Sequence, residues 1–257
     1  LEIGQGAPYP TGTPPAEATR LSPEMLPDGR TALRFGLAPF LGFEATRAAY
    51  APAATWIQAR LGVPVTLDIL NDYSELSDAI VAGRLDVAVM PPAAWVEAKR
   101  RNPKLALGAT LIQDGRTAYS ALLWVRSDAA SEPLQDLKSL RGARIACVEP
   151  NSTSGYLMLV HALLKAGLDP AKDVTLIMAG SHVEAIRMLA RGEVEAAATA
   201  TSMRAIAEEA SIAETGQRLP PMRLLYKTGT VPYDALSLSG ELSPEARRRI
   251  VLAFASM

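Results

Sequence analysis

The chain has one cysteine and two histidines in 257 residues. A single thiol excludes an internal disulfide and a thiolate metal cluster, and says little about the redox compartment. No cofactor and no metal site is expected. Cys147 sits in "ARIACVE", which reads as a buried strand, and its role there is core filler. An excess of either charge is also missing: 26 Lys and Arg stand against 27 Asp and Glu, a formal net charge of −1. Nucleic-acid binding would normally show a basic surplus, so a polyanionic partner is disfavoured. No apolar stretch approaches the ~20 residues of a membrane span, and no signal-peptide pattern is present, although a mature or trimmed chain would lack one anyway. What is plentiful is apolar side chain, 49% of the total, with a mean hydropathy of +0.10. That is enough to bury one large core or two small ones.

Residues 1–31 are rich in Pro, Gly and Thr without a sustained period, the composition of a flexible tail, and no core role is expected for them. From Leu33 onward short β-type runs alternate with helical patterns: "LRFGLA" then "EATRAAYAPAATWIQARLG", "VTLDIL" then "YSELSDAIVAG", "LDVAVM" then "PAAWVEAKRR". A second series comes after them, with "RIACVE", "VTLIMA" and "VEAAATA" each leading into a helical segment. Such alternation predicts βαβ units and parallel sheets. Between the two series "AYSALLWVRSD" reads as a strand, followed by a charged turn and a short helix. The series also share a faint internal match. "LSDAIVAGRLDVAVMP" and "AIRMLARGEVEAAATA" each run from an apolar helix face to a Gly stop (Gly83, Gly192), then to an acid (Asp86, Glu195) that opens a buried strand. Two α/β lobes of related plan would produce it, and so would chance.

Four helix starts are chemically marked. Asp72 with Glu75, and Ser181 with Glu184, have capping-box spacing. Pro91-Pro92 opens a third helix, and Ser152-Thr153-Ser154-Gly155 opens a fourth. In open α/β sheets ligands bind beyond the C-terminal strand ends, where helix N-termini offer unpaired N–H groups and a partial positive charge, a setting for an anion. A small oxyanion has several acceptor oxygens, each needing a donor once it leaves water. Ser152, Thr153 and Ser154 supply hydroxyls, and Gly155 lets backbone approach closely. His182 adds an imidazole and Tyr73 a phenol.

Plainer readings compete. A hydroxyl run before a helix is most often an N-cap, and His182 can be an ordinary first-turn residue. His161 reads as structural. A Ser/His hydrolase would use Ser152 or Ser154 as nucleophile and His182 as base, but the Gly-x-Ser-x-Gly elbow is absent from "NSTSGY". A P-loop is absent too. Binding without chemistry fits better, so no catalytic residue is assigned.

At this point the chain resembles the phosphate/phosphonate/phosphite family of ABC-transporter substrate-binding proteins, the periplasmic solute receptors. The likeness runs from about Leu33 to about Ser243 through "RLGVPV", "DYSELSDAIVAGRLDVAVMPPAAWVEA", "AYSALLWVRSD", "LQDLKSLRGARIACVEPNSTSGYL", "GSHVEAIRMLARGEVEAAA" and "VPYDAL", with "STSGY" and the later "GSH" the most specific pair. The resemblance implies an α/β, two-lobed periplasmic-binding-protein fold of type II. Each lobe would be a mostly parallel sheet flanked by helices, with two crossover strands joining the lobes and the ligand clamped between them. Residues 33–118 with 233–257 would form lobe 1, and residues 123–225 lobe 2. By position, the resemblance gives Ser152, Thr153 and His182 the phosphonyl oxygens, with Ser154 joining them. Tyr73 and Tyr119 match cleft tyrosines, and Asp234 matches an acid at the ligand's other end. Where aminoalkylphosphonate receptors carry a Glu for the substrate amine, this chain offers Ser202, which argues against an amine-bearing ligand. The implied partners are a small oxyanion and an ABC-transporter membrane permease, and the implied location is periplasmic or extracytoplasmic, with a lipid anchor left open. Receptors of this fold also serve as ligand-sensing domains for histidine kinases. Because the chain stops inside the capped helix "SPEARRRIVLAFASM", a sensor-kinase continuation stays open as the second reading.

Overall fold

The computed structural model describes residues 19–113 and 115–257. In chain order the first elements are β1 (Leu33–Leu37), α1 (Phe43–Leu61), β2 (Val65–Ile69), α2 (Tyr73–Val81), β3 (Val87–Met90), α3 (Pro92–Arg101) and β4 (Ala106–Thr110). Then come β5 (Ala118–Arg126), β6 (Arg144–Cys147), α4 (Met158–Lys165), β7 (Thr175–Met178), α5 (His182–Ala190) and β8 (Ala196–Ala200). The last are α6 (Met203–Thr215), β9 (Met222–Pro232), β10 (Ala235–Leu238) and α7 (Pro244–Ala255). The chain divides into two compact units. The first comprises the stretch ending at Pro39, Phe43–Thr117 and Pro232–Met257, and the second Phe40–Gly42 and Ala118–Val231.

Each unit is built on a five-stranded sheet, in the orders β2-β1-β3-β10-β4 and β7-β6-β8-β5-β9. Three strands of each are parallel: β2-β1-β3 in the first and β7-β6-β8 in the second. The fourth is antiparallel, β10 on β3 in the first and β5 on β8 in the second. Each sheet thus joins a parallel βαβ set to one antiparallel strand from outside that series, β10 or β5, which is itself flanked by a fifth strand, β4 or β9.

The internal sequence match has a structural counterpart. Asp86 accepts the Arg34 N–H at 2.8 Å and returns its own N–H to the Arg34 carbonyl at 3.0 Å. Glu195 accepts the Arg144 N–H at 2.7 Å and likewise donates to the Arg144 carbonyl at 3.0 Å. In both units an acid thus clips the strand it opens to the start of the neighbouring strand. Gly83 and Gly192, at φ +70° and +74°, end the preceding helices in the left-handed region that favours glycine.

Residues 1–18 of the expected tail lie outside the described residues. The remainder, from Thr19, is not a tail. Two proline-initiated 3-10 turns, Pro23–Met25 and Pro27–Gly29, carry a stretch in which Leu21 and Leu26 are buried. The Leu21 N–H donates to the Leu61 carbonyl at 2.7 Å. Arg30 pairs with Asp86 at 2.7 Å, and a carboxylate with no exposed surface needs that cation. The packing reason is local: two leucines and one arginine find partners, and composition alone hides them.

In the second unit alternation sorts the core onto two faces. Ala196 and Ala198 of β8 pack with Ile145, Cys147 and the α4 residues Leu159 and Leu163. Ala197 faces the other way, toward Val183, Ile186 and Leu189 of α5. Burial pushes the Cys147 thiol up to about 12, as an inert core residue requires. Among the described residues no helix is long and apolar enough to cross a membrane.

Candidate functional site

The parallel strands of the second unit end side by side. Ala179 N–H donates to the Cys147 carbonyl at 2.7 Å and Gly180 N–H to the Val148 carbonyl at 3.0 Å, tying the end of β7 to the end of β6. The segments that leave these strands therefore gather at one edge of the sheet, the edge where open α/β sheets bind ligands. The Ser-Thr-Ser-Gly run leaves β6, and Ser181-His182 leaves β7.

The run does not start an ordinary α-helix. Thr153–Leu157 form a π-helical turn before α4 begins, with the Leu157 N–H reaching the Ser152 carbonyl five residues back at 3.0 Å. Ser152 is the N-cap, and its Oγ accepts the Gly155 N–H at 3.1 Å. The Val148 N–H donates to the Gly155 carbonyl at 3.1 Å and holds the turn against the strand end. A Cβ on Gly155 would lie 2.3 Å from Val148 Cγ2 and 2.9 Å from Ser152 Oγ. Close approach is therefore the reason for the glycine, and the backbone it approaches with is packed on Val148. Ser152, Thr153 and Ser154 are all buried. Tyr119 of β5 donates its hydroxyl to Ser154 Oγ at 3.3 Å.

Ser181 caps α5 by accepting the Glu184 N–H at 3.1 Å, and the Glu184 carboxylate goes to Arg191 at 2.7 Å rather than back to the cap. His182, the first residue of α5, donates its N–H to the Phe40 carbonyl at 3.1 Å. Its ring Nδ1 lies 2.8 Å from Thr199 Oγ1 of β8. Burial pushes the imidazole pKa down to about 4, so the ring is neutral at physiological pH. Among the described residues no serine pairs with His182, so the nucleophile and base of a hydrolase are not assembled. Ser202, which comes after β8, stands apart: it is exposed, sits at φ +75°, and caps α6 without a side-chain hydrogen bond. His161 is exposed on α4.

Two predicted residues belong to the first unit. Tyr73 is the buried first residue of α2, whose cap Asp72 accepts the Glu75 N–H at 2.7 Å. Glu75 reaches the Asn71 N–H at 2.9 Å, one residue earlier than a regular capping box. Asp234 directly precedes β10, and its carbonyl accepts the Leu111 N–H at 3.1 Å. Ala235 is paired with Met90, the last residue of β3, so Asp234 lies at the C-terminal end of that parallel strand. Burial raises its carboxyl to about 6.

Thr199 and Thr201 were not expected at the site. Thr201 Oγ1 donates to the Ser120 carbonyl at 2.9 Å and locks the end of β8 to β5. A signal for Thr199 existed: it is the lone hydroxyl in "AAATA", an otherwise apolar strand that is buried throughout.

Two α/β units on one plan, with marked helix starts at the C-terminal strand ends, define the solute-binding protein fold of periplasmic receptors. The family model described as "ABC transporter, phosphonate, periplasmic substrate-binding protein" matches residues 35–257, and the chain belongs to that family. It is 23% identical over 219 residues to the phosphate-import protein PhnD of Mycolicibacterium smegmatis, an alignment covering 81% of this chain and 66% of the relative. It is 23% identical over 236 residues to the phosphonates-binding periplasmic protein of Escherichia coli, covering 91% of this chain and 68% of that one. The chain thus spans about two thirds of the length of these relatives. The structure of PhnD1 from Prochlorococcus marinus in complex with methylphosphonate superposes with a TM-score of 0.74 at 18% identity, over 88% of this chain and 83% of that one.

Proposed function

We propose that this chain is a non-catalytic receptor that binds one small, protonated phosphorus oxyanion, namely phosphite, hydrogen phosphate or a short alkylphosphonate. It would hand that ligand to the membrane permease of an ABC importer, outside the cytoplasmic membrane. The observation that carries the reading is the donor set at the strand ends of the second unit. Ser152 caps a π turn that holds Thr153 and Ser154, all three buried, Tyr119 bonds to Ser154, and a neutral His182 starts the next helix. Uncharged donors at a helix start suit an anion that must be stripped of water and later released.

Tyr73 and Asp234 are proposed as further contacts to the same ligand. At pH 7 a carboxyl with a pKa of about 6 is mostly ionised. It then accepts a hydrogen bond from a ligand P–OH and repels a bare oxygen, so sulfate, which has no proton near neutral pH, is excluded. Ser202 in place of a second acid leaves little to hold an ammonium group. The names of relatives agree with this choice, one being a phosphate importer and another a methylphosphonate complex.

Calorimetry and thermal shift against phosphate, phosphite, methylphosphonate, 2-aminoethylphosphonate and sulfate test the proposal. A ligand at a hundred times its Kd stabilises by about 2.7 kcal/mol. The first three should bind, with sulfate rejected at pH 7.5 and less strongly rejected at pH 5, and Asp234→Asn should relax the rejection at pH 7.5. Tightest binding of the aminophosphonate, or equal binding of sulfate and phosphate to the wild type, would overturn this specificity.

A further inference from the structure

We propose that Thr199 is a positioning residue: its hydroxyl donates to His182 Nδ1 and thereby fixes the imidazole as the tautomer that carries its proton on Nε2. The ring then offers the ligand a donor and never an acceptor. The functional half of this inference rests on the oxyanion reading above, whereas the tautomer itself does not.

Geometry brings the two side chains together. Residues at odd positions of β8 share the face of Ala197, which packs on α5. Thr199 is on that face, and its Oγ1 meets Nδ1 at 2.8 Å. Thr199 has no exposed surface and His182 is 5% exposed, so water cannot freely repair a missing partner. Neither side chain has a second hydrogen bond among the described residues.

Two proton arrangements are compatible with one 2.8 Å contact. If Nδ1–H donated to Thr199, the threonine hydroxyl proton would be left without an acceptor in a fully enclosed place, and Nε2 would be a bare lone pair. If Thr199 donates to Nδ1, the hydroxyl proton is used and only oxygen lone pairs go unpaired, the cheaper deficit for a buried hydroxyl. Nε2 then carries a hydrogen with no protein acceptor among the described residues. A donor that keeps some solvent access, on the first residue of a helix at the strand-end edge from which the Ser152–Gly155 turn also leaves, is placed to meet an anion. The low pKa of the ring agrees, since the group stays neutral and its tautomer matters.

The experiment uses protein labelled with 15N at histidine. There are only two such residues, and His161→Gln assigns the spectrum. Long-range proton–nitrogen correlation should show His182 protonated on Nε2, with and without methylphosphonate. Thr199→Val should mix or reverse the tautomers and weaken methylphosphonate and phosphate binding by about tenfold or more, while Thr199→Ser should keep the tautomer and bind within about threefold of wild type. A wild-type ring protonated on Nδ1 overturns the proposal, as does Thr199→Val with both tautomer and affinity unchanged. If none of the anions binds the wild type, the proposed function fails, and the spectrum still decides the tautomer on its own.

Discussion

Ser152 Oγ accepts the Gly155 N–H at 3.1 Å in a place with almost no solvent access, whereas Ser154 Oγ is met by the Tyr119 hydroxyl at 3.3 Å. Adjacent hydroxyls of one motif therefore do different work, and alanine substitution should separate them. Ser152→Ala orphans a buried N–H and should lower stability by about 1 kcal/mol, within the ~0.5–2 kcal/mol range of N-cap losses. Thr153 and Ser154 cannot take over the cap, because they already lie inside the turn that Ser152 opens. Ser154→Ala should leave the melting temperature nearly unchanged and reduce phosphate affinity about tenfold, because a hydrogen bond to a charged group is worth ~1.5–3 kcal/mol. Chemical denaturation and calorimetry on the two variants check this, and equal stability loss in both would mean that the whole run is only a cap. At this scale residue type was legible and division of labour was not. Three hydroxyls in a row mark a candidate site, yet which one caps depends on a helix start that no periodicity encodes.

The helix start in question is a π turn, and its geometry comes from packing rather than propensity. Gly155 touches the strand end so closely that an added Cβ would sit 2.3 Å from Val148 Cγ2. Gly155→Ala should therefore cost about 1–3 kcal/mol, the usual penalty of overpacking. Adding Val148→Ala removes that contact but leaves Val148 Cβ at 2.7 Å, so the double variant should recover part of the loss. Non-additivity in a double-mutant cycle measures it, and strictly additive losses would show that the glycine serves some other purpose. The elements also show which features a sequence can carry by itself. The βαβ alternation, the Gly83 and Gly192 stops and the opening acids Asp86 and Glu195 are local signals, and they led to two units of one plan. The antiparallel strands β10 and β5, the packed stretch from Thr19 to Arg30 and the Thr199 contact depend on partners far along the chain, as Arg30 does on Asp86. Composition of a segment says nothing about such partners.

Across the whole molecule two titratable groups proposed as ligand contacts, one in each unit, pull stability in opposite directions with pH. Asp234 has its pKa raised from 3.8 to about 6 by burial. Between these values the native state keeps a proton that the unfolded chain has released, so its contribution is present below about 4 and is lost as pH rises through about 6. His182 has its pKa lowered from 6.5 to about 4, also by burial. Here the unfolded chain takes up the proton first, so its contribution is present above about 6.5 and is lost as pH falls through about 4. At ~1.36 kcal/mol for each pH unit between folded and unfolded values, each contribution amounts to roughly 3 kcal/mol over the full window. In the wild type they largely cancel between pH 4 and 6.5, and single substitutions should uncover them. Asp234→Asn should give a protein whose stability, relative to wild type, improves as pH rises through this window. His182→Gln should give one whose stability, relative to wild type, improves as pH falls. Because the residues belong to different units, melting must be followed with a probe in each, and the difference from wild type taken unit by unit. Ligand binding adds a second readout with the same origin. Protonating Asp234 turns an acceptor into a donor, so phosphate and sulfate affinities should converge below about pH 6 in the wild type and stay parallel in Asp234→Asn. Stability profiles that run parallel in wild type and both variants would show that neither group is desolvated in the native protein, and the charge-based discrimination assigned to Asp234 would go with them.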